Sequence, residues 1–196
     1  MPSDKNDLAQ RLAICRPEDT VRGFIFKAVY GLVEQRAGSA AMDRMMVQLR
    51  VSKMPVDFFS YPAADFLRML YTAVDLLEPT SPSLEDAFRA CGASTVTGFF
   101  KSYVGNTLMK LISGGDDPKR ALSTVNTVYS TLVSYGSREF RDQGYRRGLM
   151  IFREDMQPAL FHEGALSEVL TVLCGQGRAV GRQVALNHSE YELDWS

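Results

Sequence analysis

The sequence predicts an α+β fold: a helix-rich N-terminal two-thirds followed by helix-strand-strand-helix-strand-strand, with a four-stranded, mainly antiparallel sheet. Three observations carry this expectation. Apolar residues recur at three- and four-residue spacing through the first two-thirds of the chain. Within "ALSTVNTVYSTLVSYGSREF" the period changes midway: Leu122, Val125, Tyr129 and Leu132 keep helical spacing, and from Val133 the pattern alternates as in a strand. At the end, Tyr191, Leu193 and Trp195 alternate with Glu190, Glu192 and Asp194, which places an aromatic face on a core and the acids in water. Strands gathered behind a run of helices favour an antiparallel sheet over a doubly wound one.

Taken in order, Thr20 after "PED" is placed to cap a helix whose face carries Val21, Phe24, Ile25, Ala28, Val29, Leu32 and Val33, with Gly38 as its stop. Ser39 opens a second helix holding Met42, Met45, Met46 and Leu49, and Pro55 breaks the chain after it. "YPAADFLRMLYTAVDLLEP" reads as a third helix with Pro62 in its first turn and Pro79 beyond its end. "SLEDAFRACG" begins with a capping pair, Ser83 and Asp86, and ends at Gly92. One or two further helical segments span roughly 94–112, interrupted or bent near Gly105, before the turn "SGGDDP". Asp117 before Pro118 then starts the helix that feeds the first strand, near Val133 to Phe140. "RDQGYRR" is a hairpin connection, "GLMIFRE" a second strand, and Glu163 to Cys174 an amphipathic helix with Leu166, Val169, Leu170 and Leu173 on one side. "RQVALN" and "EYELDWS" supply the last two strands.

The 196 residues read as a single domain, 1–196, in which 1–19 are flexible or loosely packed. The three cysteines are odd in number and far apart, as expected of reduced thiols in a cytoplasmic protein. The polar start "MPSDKNDLAQ" is unlike a signal peptide, and no apolar run approaches the ~18 residues of a membrane span. With 22 basic and 23 acidic residues and a formal net charge of −1, the chain has no electrostatic reason to seek nucleic acid.

Over most of its length, with "YPAADFLRMLYTAVDLL", "DAFRACG", "FHEGALSEVL" and the closing "YELDW", the chain resembles a family of paralogous proteins of unknown function expanded in myxobacteria. From about Tyr61 onward, "DAFRACGASTVTGFFKSYVG" and the terminal strand-strand-helix-strand-strand order resemble haem-dependent nitric-oxide/oxygen-binding domains. The architecture is also similar to vinyl-reductase-type ligand-binding domains and vesicle-tethering subunits. The resemblance to gas-sensing domains implies a histidine on the helix before the first strand, bound to haem iron. It also implies a tyrosine, a serine and an arginine at alternate positions on the following strand, holding the propionates. Here that helix reads "ALSTVNTVYSTL", without histidine, and "GLMIFREDM" offers Phe152 and Arg153 but not the triplet. No cofactor is therefore expected, and Tyr129 reads as a packed residue.

Catalytic signals are weak. His162 and His188 read as surface or strand-end residues, with no HExxH or Cys/His cluster around them. Ser134 and Ser137 have no nucleophile elbow, and Asp116 and Asp117 read as a polar turn. Neither "SGGDDP" nor "GQGRAVG" has the form of a phosphate-binding loop. Arg138, Arg141, Arg146 and Arg147 bracket the hairpin turn and are the candidate partner-binding group, able to meet carboxylates or phosphates. Phe99, Phe100, Tyr103 and Tyr129 are the candidate lining of a lipophilic pocket.

The expectation is a non-enzymatic regulatory or adaptor domain acting through protein binding, with the haem ligand absent. A sensor domain binding a small lipophilic ligand between helices and sheet is the alternative, and a homodimer stays open.

Overall fold

The computed structural model describes residues 5–101 and 118–196. Five α-helices come first among them: α1 (Lys5–Ile14), α2 (Gly23–Ala37), α3 (Ser39–Leu49), α4 (Ala63–Leu77), continued by a 3-10 turn at Glu78–Thr80, and α5 (Leu84–Lys101). Two three-residue strands, β1 (Thr20–Arg22) and β2 (Ser60–Pro62), pair antiparallel just before α2 and α4. Then follow α6 (Pro118–Ser123), α7 (Val125–Leu132), β3 (Ser137–Asp142), β4 (Arg147–Arg153), α8 (Ala159–Cys174), β5 (Gly177–Ala185) and β6 (His188–Trp195). The four long strands form one antiparallel sheet in the order β3-β4-β6-β5. The α+β architecture and the closing helix-strand-strand-helix-strand-strand order are as the sequence predicts.

Several boundaries differ for physical reasons. Thr20 does not cap α2; it belongs to β1, and its N–H donates to Ser134 Oγ at 2.8 Å. The helix starts at Gly23, where a Cβ would lie 2.1 Å from the Val56 carbonyl oxygen, so only glycine lets the 51–59 segment pack there. Pro62 likewise ends β2 instead of sitting in the first turn of α4. Gly38 with φ 85° and the Ser83–Asp86 capping pair stand as expected; Asp86 N–H donates to Ser83 Oγ at 3.1 Å.

Gly92 does not end a helix. α5 runs through it to Lys101, because Gly92 and Gly164 are the points at which α5 and α8 cross. A Cβ on Gly92 would lie 1.8 Å from Phe161 O, and one on Gly164 would lie 1.9 Å from Arg89 O. The backbones touch at both positions, which only glycine permits. Arg89 and Glu163 close the crossing with an ion pair at 2.6 Å, and Glu163 also accepts from the Gly181 N–H of β5 at 2.8 Å. The bend expected at Gly105 and the turn "SGGDDP" before Pro118 lie outside the described residues.

Residues 5–14 are not loose. They form α1, an element the sequence reading left out, and Leu8 and Leu12 pack on the main core. Arg11, only 2% exposed, pins the helix down. Its guanidinium donates to Tyr71 Oη at 3.1 Å, Met156 O at 3.0 Å, Leu186 O at 3.1 Å and Gln183 Oε1 at 3.0 Å. One arginine with every guanidinium nitrogen hydrogen-bonded thus ties the helical part to the β5–β6 turn.

Two apolar cores result. One joins α2, α3, α4 and α5 around Phe26, Val29, Phe66 and Leu70; the other joins α8 to the inner face of the sheet around Met150, Phe152, Leu170 and Tyr191. Tyr191, Leu193 and Trp195 face inward, as their alternation predicts. Tyr129 of α7 packs against both cores. Cys15, Cys91 and Cys174 are free thiols.

Candidate functional site

Between the two cores lies a cavity of about 120 Å³, walled by α2, α5, α6, α7 and α8. Phe24, Phe99 and Phe100 form an aromatic side, with ring centroids 5.8 Å apart for the first pair and 5.7 Å for the second. Val125 and Tyr129 face them from α7, and Val169 from α8. The short α7 turns these residues inward because Val125, Tyr129 and Leu132 share one face at helical spacing. Among the described wall residues only Thr95, Tyr129 and Gln157 have polar side chains, and none is charged. Phe99, Phe100 and Tyr129 thus take the places proposed for them as lining; Tyr103 lies outside the described residues.

Behind Tyr129 is a buried polar cluster that sequence reasoning missed. His162, expected at the surface, is 1% exposed on α8. Its Nδ1 lies 3.5 Å from Tyr129 Oη, while its Nε2 lies 3.2 Å from Asp155 Oδ1 but out of line for a hydrogen bond. Arg138 is not at the hairpin rim either; it is buried and forms an ion pair with Asp155. The pleat explains this placement: Arg138 shares the inner face with Phe140 and pairs with Phe152 across the ladder, whereas Glu139 and Arg141 face outward. The Arg138 guanidinium sits 4.8 Å from the Tyr129 ring centre and 5.4 Å from that of Phe152, a partly aromatic enclosure favourable to a cation.

Burial alone would raise the Asp155 pKa, but His162 and Arg138 nearby and the Gln157 N–H hold it well below the usual carboxylate range. Desolvation pushes the Tyr129 phenol well above its ordinary value, despite the Arg138 charge beside it.

The remaining hairpin arginines are on the surface but are partly engaged. Arg141 donates to Glu139 at 2.7 Å, and Arg147 pairs with Asp194 of β6 at 3.1 Å. Arg153 also reaches Glu139 at 2.9 Å, so the outer face of the sheet is a cross-strand ladder of opposite charges. Direct bonds from Arg141 and Arg153 lower the Glu139 carboxyl to about 2. Arg146 stacks on exposed Tyr145, 5.0 Å from its ring centre.

The resemblance to haem domains implies an iron-binding histidine on the helix that here forms α7, and the walls of the cavity beside α7 do not fit haem. No histidine, cysteine or methionine is on the described wall. His162 faces Asp155 and Tyr129, and His188 stands at the start of β6 near Glu190. Tyr129, the one described wall residue with a phenol, has that phenol held protonated by burial. No arginine is on the described wall for propionates, and Arg138 is committed to Asp155 behind Tyr129. Among the described residues no group of three or more His, Cys, Asp or Glu is placed to hold a metal ion. Nor is any described helix long and apolar enough to cross a membrane.

The fold is similar to that of solved H-NOX domains. An Fe(II) unliganded H-NOX protein from K. algicida superposes with a TM-score of 0.65 at 16% identity, over 89% of this chain and 96% of that one. An H-NOX protein from S. oneidensis in the Fe(II)NO ligation state gives 0.68 at 12% identity, over 89% and 99%. At such identities the superpositions show a shared fold alone. No curated protein sequence matches the chain. Residues 15–196 match the family described as Protein of unknown function (DUF2378), and the chain belongs to that family.

Proposed function

We propose that this chain is a non-enzymatic regulatory domain of the cytoplasm, a sensor that takes up a small lipophilic ligand between its helices and its sheet. The observation that carries the reading is the cavity where Phe99, Phe100 and Tyr129 meet, with no charged residue on its described wall, in a fold similar to that of H-NOX domains. A volume of about 120 Å³ suits a molecule near the size of benzene, which a dry cavity of about 150 Å³ can hold. Tyr129 links that cavity to the Arg138, Asp155 and His162 cluster and to both cores, so ligand contact at its ring reaches both sides of the fold. A protein partner then reads the outcome.

The rival reading, an adaptor that docks protein on the hairpin arginines, has narrower support. Arg138 is inside, and Arg141 and Arg147 already meet carboxylates. Titration of the purified protein with benzene, followed by amide NMR, tests the sensor. Saturable shifts confined to residues around Val125 and Val169, and abolished by Val169→Phe, support it. Shifts that are absent or do not saturate overturn it.

A further inference from the structure

We infer that the ligand of this cavity is a neutral molecule carrying one hydroxyl group, which it places against Gln157; this rests on the cavity being a ligand site. The three polar side chains of the described wall are not equivalent. Thr95 spends its hydroxyl proton on Gly92 O at 2.7 Å, and the Tyr129 hydroxyl is turned away to His162 Nδ1. Gln157, 5% exposed, donates its side-chain N–H to Tyr135 Oη at 2.8 Å and its backbone N–H to Asp155 Oδ1 at 2.9 Å. Its Oε1 has no hydrogen bond among the described residues. Turning the amide end for end exchanges the two atoms, so that Tyr135 donates to Oε1 and both side-chain N–H groups are left over. Either way one polar atom of a buried side chain on the cavity wall lacks a partner among the described residues, and a hydroxyl, both donor and acceptor, pairs with it in either orientation.

The described wall offers a charge no partner. No charged residue is among the described wall residues, and the Arg138 guanidinium behind Tyr129 is committed to Asp155. A carboxylate or an ammonium ion would shed its hydration there with no opposite charge to meet it. The volume of about 120 Å³ suits an apolar body of a single ring or a short branched chain. A small phenol or alcohol meets all three conditions.

Benzene, phenol and benzoate form the test set, with affinities read from amide NMR titrations of the whole protein. Phenol should bind at least about fivefold more tightly than benzene, because only phenol pairs the buried amide, and benzoate should not bind. In Gln157→Leu the order should reverse, benzene exceeding phenol. Should that variant fail to fold because Tyr135 loses its partner, Gln157→Leu with Tyr135→Phe removes both polar groups and serves instead. Equal or tighter binding of benzene by the unaltered protein, or a phenol preference that survives the substitution, overturns the hydroxyl assignment while leaving the cavity a ligand site. Binding of benzoate overturns the neutral-ligand assignment, and binding by none of the three overturns the ligand site itself.

Discussion

Arg138 and Asp155 form an ion pair nearly sealed from water, with side chains 2% and 3% exposed. Two charges taken out of water hold each other in place, and removing one strands the other. Arg138→Met should therefore lower unfolding stability by about 3–5 kcal/mol, measured by urea denaturation. Arg138→Met with Asp155→Leu should recover part of that loss. A single variant with an unchanged urea midpoint would mean that water reaches the pair.

Acid sensitivity follows from the same carboxylate. The folded pKa of Asp155 is depressed, so its contribution is fully present above the unfolded value of about 3.9 and is lost as pH falls through the folded value. Stability should hold from neutral pH to about 5 and fall in more acid solution. Glu139 acts with the same sign but is in contact with solvent, which screens it. The difference between the unaltered protein and Asp155→Asn isolates the buried group: the gap should narrow below about pH 4. Parallel curves would assign the acid response to surface carboxylates.

The α5–α8 crossing makes a separate prediction. Gly92→Ala puts a methyl group 1.8 Å from Phe161 O, where backbone must move. A cost of about 1–3 kcal/mol or more is expected, as for other overpacked contacts. Gly31 in α2 has nothing within 4 Å of an added Cβ, and Gly31→Ala should stabilise by about 0.5–1 kcal/mol. Calorimetry of the two variants should give midpoints displaced in opposite directions.

What the sequence made legible depended on how far each signal was local. The alternation of Tyr191, Leu193 and Trp195 defines an inward face without knowledge of the partner strand, and it reads correctly. The clustering of Phe99, Phe100 and Tyr129 about one space was accessible from helical spacing and aromatic content. Gly92 was misread because a glycine that stops a helix and one that admits a second helix look alike in one chain; the difference lies in Gly164, about seventy residues away. Arg138 could have been placed: it is in phase with Phe140, so the strand rule puts it inside. His162 could not, because its partners Asp155 and Tyr129 come from a connection and a different helix. Leu8 and Leu12, four apart, were the faint signal for α1, hidden by polar neighbours.

Haem binding in the gas-sensor manner should fail. Iron would find no histidine on the described wall, and the Tyr129 phenolate that could replace it is disfavoured by burial. Haemin titration should give no one-to-one, saturable Soret band. A tight stoichiometric complex lost in Tyr129→Phe would show that the phenol ionises on iron and that the walls part to admit a porphyrin.

Trp195 tests whether the last strand is held as the sheet order requires. It is next to the last residue of the chain, where fraying is common, yet it is 8% exposed. Its N–H donates to Arg146 O at 3.1 Å, it stands opposite Gly177 of β5, and its ring packs in the sheet core. Trp195→Ala should cost about 3–5 kcal/mol, the usual consequence of emptying a large aromatic site. For a chain of this size the lower figure corresponds to a fall in Tm of about 6–12 °C, followed by circular dichroism because the only tryptophan is then gone. Val180→Ala on the exposed face of the neighbouring β5 should stay within about 0.5 kcal/mol. Equal, small effects at both positions would mean that β6 frays before its aromatic end reaches the core.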